Sequence, residues 1–248
     1  MNRLDRGLAG DPLLSDEIKV SLAPSVTWFF REPSAFVTIT DNLVPLFGSD
    51  VPIASIGCSS GEEVYGLLSV GMQRGILEQM RVDGYDYKVN NITRGLVGIY
   101  GSEVYKVRGP MGEGVRDLIE KGATPDEPND FEMPAVLKER ATFTLLDITR
   151  GPLPRRYPIA LCANMLYHYA NPNLGRAPLV TVLDNIADSL TPGGFLVCEA
   201  KGTYKRSYAD EYEQALTSHK AFQEQQDVAV PYTLSTGKTE ARVLQRVA

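Results

Sequence analysis

The chain has 248 residues, 43% of them hydrophobic, enough for one large packed domain or a domain carrying a small insertion. Its 25 basic and 31 acidic residues give a net charge of −6 with the basic ones scattered, so neither nucleic acid nor an acidic membrane surface is an expected partner. No run of about 18 apolar residues exists to span a membrane, and MNRLDRGLAGDPLL lacks an apolar signal core, so the expected location is the cytoplasm.

Residues 1–20 read as a polar lead-in, and residues 21–248 as one catalytic-sized domain. A helical pattern around 34–47 follows the aromatic run TWFF. PIASIG (52–57) is the first clear strand, a helix is expected from about Gly61 to Arg74, and MRVDGYDY (80–87) gives a second strand ending at Asp86. Two parallel strands with a helix between them make a right-handed βαβ unit. ITRGLVGIYG predicts a helix with a glycine-marked end, and 108–140, rich in Gly, Pro and charge, predicts an inserted lobe. Strands are expected again at 141–148, ending near Asp147, at 157–164, ending at Asn164, and at 194–200 after a TPGG turn. VTVLDNIADSL (180–190) has helical spacing, and ARVLQRV near the end predicts an edge strand. The alternation predicts an α/β fold, a doubly wound Rossmann-like sheet with helices on both faces.

Three cysteines, Cys58, Cys162 and Cys198, are odd in number and form no CxxC pair, so they predict neither a disulfide framework nor a zinc site and read as small core residues. His168 and His219 are the only imidazoles, and no metal centre is expected.

In such sheets ligands bind beyond the carboxyl ends of the strands, which brings Gly57, Asp86, Asp147 and Asn164 together. Asp86 stands where an acid accepts hydrogen bonds from a ribose diol. A dinucleotide would call for GxGxxG against its pyrophosphate, and the chain instead has GCSSGEE, with Glu62 and Glu63 at the helix start. Those acids repel phosphate and suit S-adenosylmethionine, whose reactive end carries a sulfonium and an amino group. Gly57 and Gly61 let the backbone approach that end closely. Asp147 and the apolar Ile148 fall where adenine would be held. Each acid also has a plainer reading, as a solvated turn residue or, for Glu62, as a helix-start charge.

TWFFRE (27–32), GCSSGEEVYG (57–66), GIY (98–100), LCANMLYHY (161–169) and LTPGGFL (190–196) resemble, in order and spacing, the CheR family of chemotaxis receptor methyltransferases, over about residues 21–200. The resemblance implies a class I methyltransferase sheet and methyl transfer from S-adenosylmethionine to glutamate side chains. By position it implies that Thr27 and Arg31 touch the cofactor, that Gly57 and Glu63 hold its methionine end, that Asp86 takes the ribose and Asp147 the adenine side, and that Asn164 lies beside the sulfonium. Trp28, Phe29 and Phe30 then pack in the core and hold Arg31.

The chain departs from that family where the acceptor should sit. Cys162-Ala163-Asn164 replaces Cys-Arg-Asn, and His168, between Tyr167 and Tyr169, replaces a tyrosine. The helical receptor-docking domain is expected to be absent, since some 20 residues precede the match. Arg31, His168 and Tyr167 are the catalytic candidates. His168 is a base of suitable range for a hydroxyl or amine, or a group that merely packs at the strand end. The expected activity is methyl transfer to the oxygen or carboxylate of a small molecule. The alternatives are glutamate methylation on a chemoreceptor-like protein, recognised through the 108–140 lobe, and a non-catalytic S-adenosylmethionine sensor.

Overall fold

Val51–Ile56 (β1) and Met80–Asp86 (β2) are buried along nearly their whole length, the pattern of strands covered on both faces, and they pair in parallel. The structure is a computed structural model that describes residues 27, 29–101, 130–170, 178–199, 209–225, 227–228, 231–234 and 237–247. Five further strands complete the main sheet: Ala141–Leu145 (β5), Tyr157–Leu161 (β6), Leu190–Cys198 (β7), Phe222–Glu224 (β8) and Arg242–Arg246 (β11). Two short strands, Ile99–Gly101 (β3) and Asp130–Glu132 (β4), pair with each other, as do Pro231–Leu234 (β9) and Gly237–Glu240 (β10).

The order in the main sheet is β5-β2-β1-β6-β7-β11-β8. The pairings from β5 to β7 are parallel, and β11 is antiparallel to both of its neighbours. From β1 the chain winds outward through β2 to β5, then returns to the other side of β1 to lay down β6. The topological switch point therefore lies between the carboxyl ends of β1 and β6, where open α/β sheets take their ligands.

The helices divide between the faces. Pro33–Val37 (α1), Val44–Phe47 (α2), Glu62–Gln73 (α3), Val89–Val97 (α4) and Ala135–Lys138 (α5) contribute to one core, together with Phe29 and Phe30. Leu179–Ser189 (α6) and Ala209–Ser218 (α7) cover the other face. The doubly wound reading holds.

Several details differ from the expectations: β5 stops at Leu145 and β6 at Leu161, so Asp147 and Asn164 stand in the turns beyond those strands and not at their last positions. The helix over 34–47 is broken by a wide π-helical stretch, Thr38–Leu43, just before Pro45, whose missing N–H and ring bulk disturb the preceding turn. TPGG is drawn into β7, and the register against β6 slips between Tyr157 and Ile159 to accommodate it. The strand ARVLQRV is interior and not at the edge: Val243 and Leu244 are each 1% exposed, because Phe222–Glu224, too short to show a pattern, pairs on its outer side. Of the expected lobe at 108–140, residues 108–129 lie outside the described residues. β3 and β4 pair at its base, while Met133 and Leu137 pack into the first core. The lead-in 1–20 and Trp28 also lie outside the described residues, whereas Phe29 and Phe30 are fully buried, Phe29 meeting Tyr100 edge-on with centroids 5.1 Å apart.

Candidate functional site

The turn between β1 and α3 is pinned to β2. Gly57 and Cys58 donate their N–H groups to the Tyr85 carbonyl at 2.8 and 3.0 Å, and Ser59 donates its N–H to Asp86 Oδ2 at 3.0 Å. Gly57 has φ +76°, and a Cβ there would stand 2.7 Å from Met165 Sδ, so glycine alone allows this approach between the ends of β1 and β6. Gly61, at φ +96°, starts α3 under Tyr100 and Phe143, again with no space for a Cβ.

The two acids that follow go separate ways, as adjacent helical residues must. Glu62 is fully buried, and Ser60 Oγ donates to both of its carboxylate oxygens at 2.9 and 2.8 Å. Burial raises its carboxyl above the ordinary value, opposed first by Ser60. Glu63 is partly exposed and accepts from Ser55 Oγ at 2.7 Å. Burial pushes its carboxyl up to about 8, with Ser55 acting against the rise, Glu32 and Glu199 adding to it, and Arg31 opposing it.

Asp86 ends β2 as expected. Besides Ser59, it accepts from Lys88 N at 2.9 Å and from Asn91 Nδ2 at 3.0 Å, and burial raises its carboxyl against those bonds. With Gly57, Asp147, Ile148, Met165 and Tyr169 it lines a shallow recess open to solvent. Asp147 lies two residues past the end of β5 and accepts from Thr149 N and Oγ1 at 3.0 and 2.7 Å, a closed local turn that sets the orientation of its carboxylate. Ile148 belongs to the second core.

A second group of side chains meets at Asn164. This residue has φ +60°, donates its N–H to Glu199 Oε2 at 2.9 Å, and donates from Nδ2 to Glu32 Oε1 at 2.9 Å. Glu32 is half-buried beside Arg31, and its carboxyl is pushed up to about 7 by burial, opposed by the Asn164 bond, raised further by Glu199 and lowered by Arg31. Carboxylates gathered round one guanidinium make an environment that favours an arriving cation.

Each expected site residue among those described can thus be placed. Gly57, Asp86, Asp147 and Ile148 share the recess; Arg31, Glu63 and Asn164 share the acidic group; Thr27 is half-buried. Tyr167 is buried, its ring 6.0 Å from that of Tyr212, and His168 is exposed. Other residues at the site carry no signal of their own in the sequence, among them Ile56, Tyr85, Tyr87 and Leu146 of the recess. Met165 and Tyr169 line the recess, Glu32 stood unused in TWFFRE, and Glu199 follows the end of β7, where the strand-end rule that selects Asp86 also applies. Among the described residues, no group of three or more His, Cys, Asp or Glu could hold a metal ion, and no helix is long and apolar enough to cross a membrane.

The family described as "CheR methyltransferase, SAM binding domain" matches residues 25–218. Cher3 of Pseudomonas putida, a methyltransferase by name, is 25% identical over 228 residues, 90% of this chain and 81% of its own. WspC of Pseudomonas aeruginosa, named for biofilm formation and methyl transfer, is 27% identical over 68% of this chain, a match spanning 39% of WspC. The crystal structure of the glycopeptide N-methyltransferase MtfA, complexed with sinefungin, shares the fold with a TM-score of 0.52 at 11% identity, covering 91% of this chain and 88% of that one.

Proposed function

We propose that this chain, which belongs to the CheR methyltransferases and takes S-adenosylmethionine as its cofactor, transfers the methyl group to an oxygen of a small molecule. The cofactor supplies an electrophilic methyl group on a positively charged sulfur. The residues present fit it: a partly exposed glutamate with its carboxyl at about 8, in the first turn of α3 just after the close-packed Gly61, is poised to ionise when a cation arrives.

In this reading Glu63 accepts the ammonium of the methionine end and Arg31 pairs with its carboxylate. Thr27 lies beside that end. Gly57 lets the chain backbone approach closely, Asp86 accepts from the ribose diol, and Asp147 and Ile148 bound the adenine. Asn164, at the switch point, faces the sulfur. The recess lined by Asp86, Asp147 and Ile148 is the adenosine half, and the acidic group is the reacting half.

The acceptor is read from the charge around Asn164. An ionised carboxylate entering there would meet Glu32 and Glu199, and Ala163, buried in the core, provides no counter-charge where the family has arginine. A hydroxyl suffers no such repulsion but must lose its proton as it attacks. The single observation that carries this reading is Glu32, with its carboxyl at about 7 and bonded to Asn164. His168 is exposed and Tyr167 packs against Tyr212, and in this reading both border the acceptor from the turn that follows Asn164. Attack in line with the departing sulfur then requires that the acceptor be held by these groups and that Glu32 take its proton.

Glutamate methylation on a protein is the second reading, favoured by the family match itself. Incubating the protein with labelled S-adenosylmethionine and a cell lysate, then separating metabolites from proteins, decides between them. Label in a small molecule as an alkali-stable ether supports the first; alkali-labile label in a protein overturns it.

A further inference from the structure

Asn164 follows β6 with φ +60°, a conformation that costs a non-glycine residue energy and persists only where its surroundings fix it. The fixing group is Glu199, one residue past the end of β7 and 2% exposed. Its Oε2 accepts the Asn164 N–H at 2.9 Å, and its Oε1 accepts from the hydroxyl of Tyr212, on α7, at 2.5 Å. The carboxylate thus ties together the ends of two neighbouring parallel strands and the helix that covers them.

An apolar side chain of similar volume would pack in that place at lower cost than a buried charge, but it would leave the Asn164 N–H without its acceptor. We propose that Glu199 is a positioning residue for methyl transfer: it holds Asn164 in the left-handed conformation from which its amide side chain reaches Glu32 and faces the reacting end of the cofactor. The inference rests on the reading of Asn164 as part of the donor site.

The test uses the full chain and S-adenosylhomocysteine as the probe, titrated calorimetrically into the parent, Glu199→Ala, Asn164→Ala and the double variant. Each single variant is expected to weaken binding about tenfold, with the double variant no weaker than either single, because both remove the same arrangement. Glu199→Gln, whose amide oxygen still accepts the N–H, should stay within about threefold of the parent, while the Asn164 amide resonance shifts as its acceptor loses charge. Glu199→Leu, which packs but accepts nothing, gives the same reading as Glu199→Ala if the latter does not fold. A folded Glu199→Ala or Glu199→Leu with parental affinity overturns the proposal, as does a double variant whose loss is the product of the two. If the parent itself fails to bind S-adenosylhomocysteine, the donor-site reading falls instead.

Discussion

Asn164 Nδ2 donates to Glu32 Oε1 across 2.9 Å, joining the end of β6 to the segment that leads into α1, 132 residues earlier in the chain. This bond places a carboxyl of pKa about 7 where the acceptor is read to sit.

Methyl transfer should therefore depend on Glu32 in its ionised form. Burial raises this carboxyl, and only the ionised form can take the acceptor's proton, so the rate should climb with pH and level off above about 7. Glu32→Gln keeps an acceptor for Asn164 but no base, and is expected to lower the transfer rate about a hundredfold with donor affinity changed less than about threefold. Initial rates with labelled S-adenosylmethionine across pH 5.5–9 check this; a flat profile, or a Gln variant at parental rate, refutes the role.

Glu63 gives a different pH signature, visible without any acceptor. Its carboxyl is raised from 4.5 to about 8 in the folded chain, first by burial and then by Glu32 and Glu199. A raised carboxyl stabilises the fold through its neutral form, so the contribution is complete below about 4.5 and lost as pH rises through about 8. The ligand-free protein should lose thermal stability between those limits, and Glu63→Gln should flatten part of the loss. Binding of S-adenosylhomocysteine, whose ammonium needs the ionised form, should tighten as pH rises toward 8 and release a proton below it. Calorimetry in buffers of different ionisation enthalpy reads that proton directly.

The sheet and its switch point were legible because each rests on local pattern. Apolar runs mark β1 and β6, the mixed run MRVDGYD marks β2, and the position of Asp86 is found by where that strand stops. The edge was misread because ARVLQRV says nothing about whether another strand pairs outside it, and Phe222–Glu224 is too short to announce itself. Glu32 and Glu199 were not legible as partners, since Asn164 joins them from 132 and 35 positions away and only the fold brings the three together. His168 drew notice by its chemistry, but its exposure depends on how the turn of Leu166–Tyr169 faces, which spacing does not reveal.

Asp86 holds the glycine turn and, in the proposed reading, also binds the ribose, and its variants should separate the two duties. Its Oδ2 holds the Ser59 N–H of the glycine turn, and its Oδ1 holds Lys88 N and Asn91 Nδ2. Asp86→Asn retains one acceptor oxygen, enough for the Ser59 N–H that holds the turn but not also for Lys88 N and Asn91 Nδ2, and the carboxylate for a ribose diol is gone. A loss of S-adenosylhomocysteine affinity of at least about tenfold, ~1.4 kcal/mol, is expected with a smaller fall in melting temperature than Asp86→Ala gives. Asp86→Ala should lower both. Equal affinity of Asp86→Asn and parent in calorimetry would remove Asp86 from the site.

Gly57→Ala should show how far the closeness of β1 and β6 matters. The substitution meets two obstacles: φ +76°, which an L side chain rarely adopts, and a Cβ placed 2.7 Å from Met165 Sδ. The methionine can swing aside, since its side chain is flexible, but the backbone strain remains. A destabilisation of at least about 1 kcal/mol in urea unfolding is expected, larger than for an alanine at Gly75, where φ is also positive but nothing lies within 4 Å. Because Met165 lines the same recess as Asp86 and Asp147, moving it should also weaken S-adenosylhomocysteine binding in Gly57→Ala and leave Gly75→Ala at parental affinity. Indistinguishable unfolding and binding for the two alanine variants would show that the recess does not depend on the tight approach at Gly57.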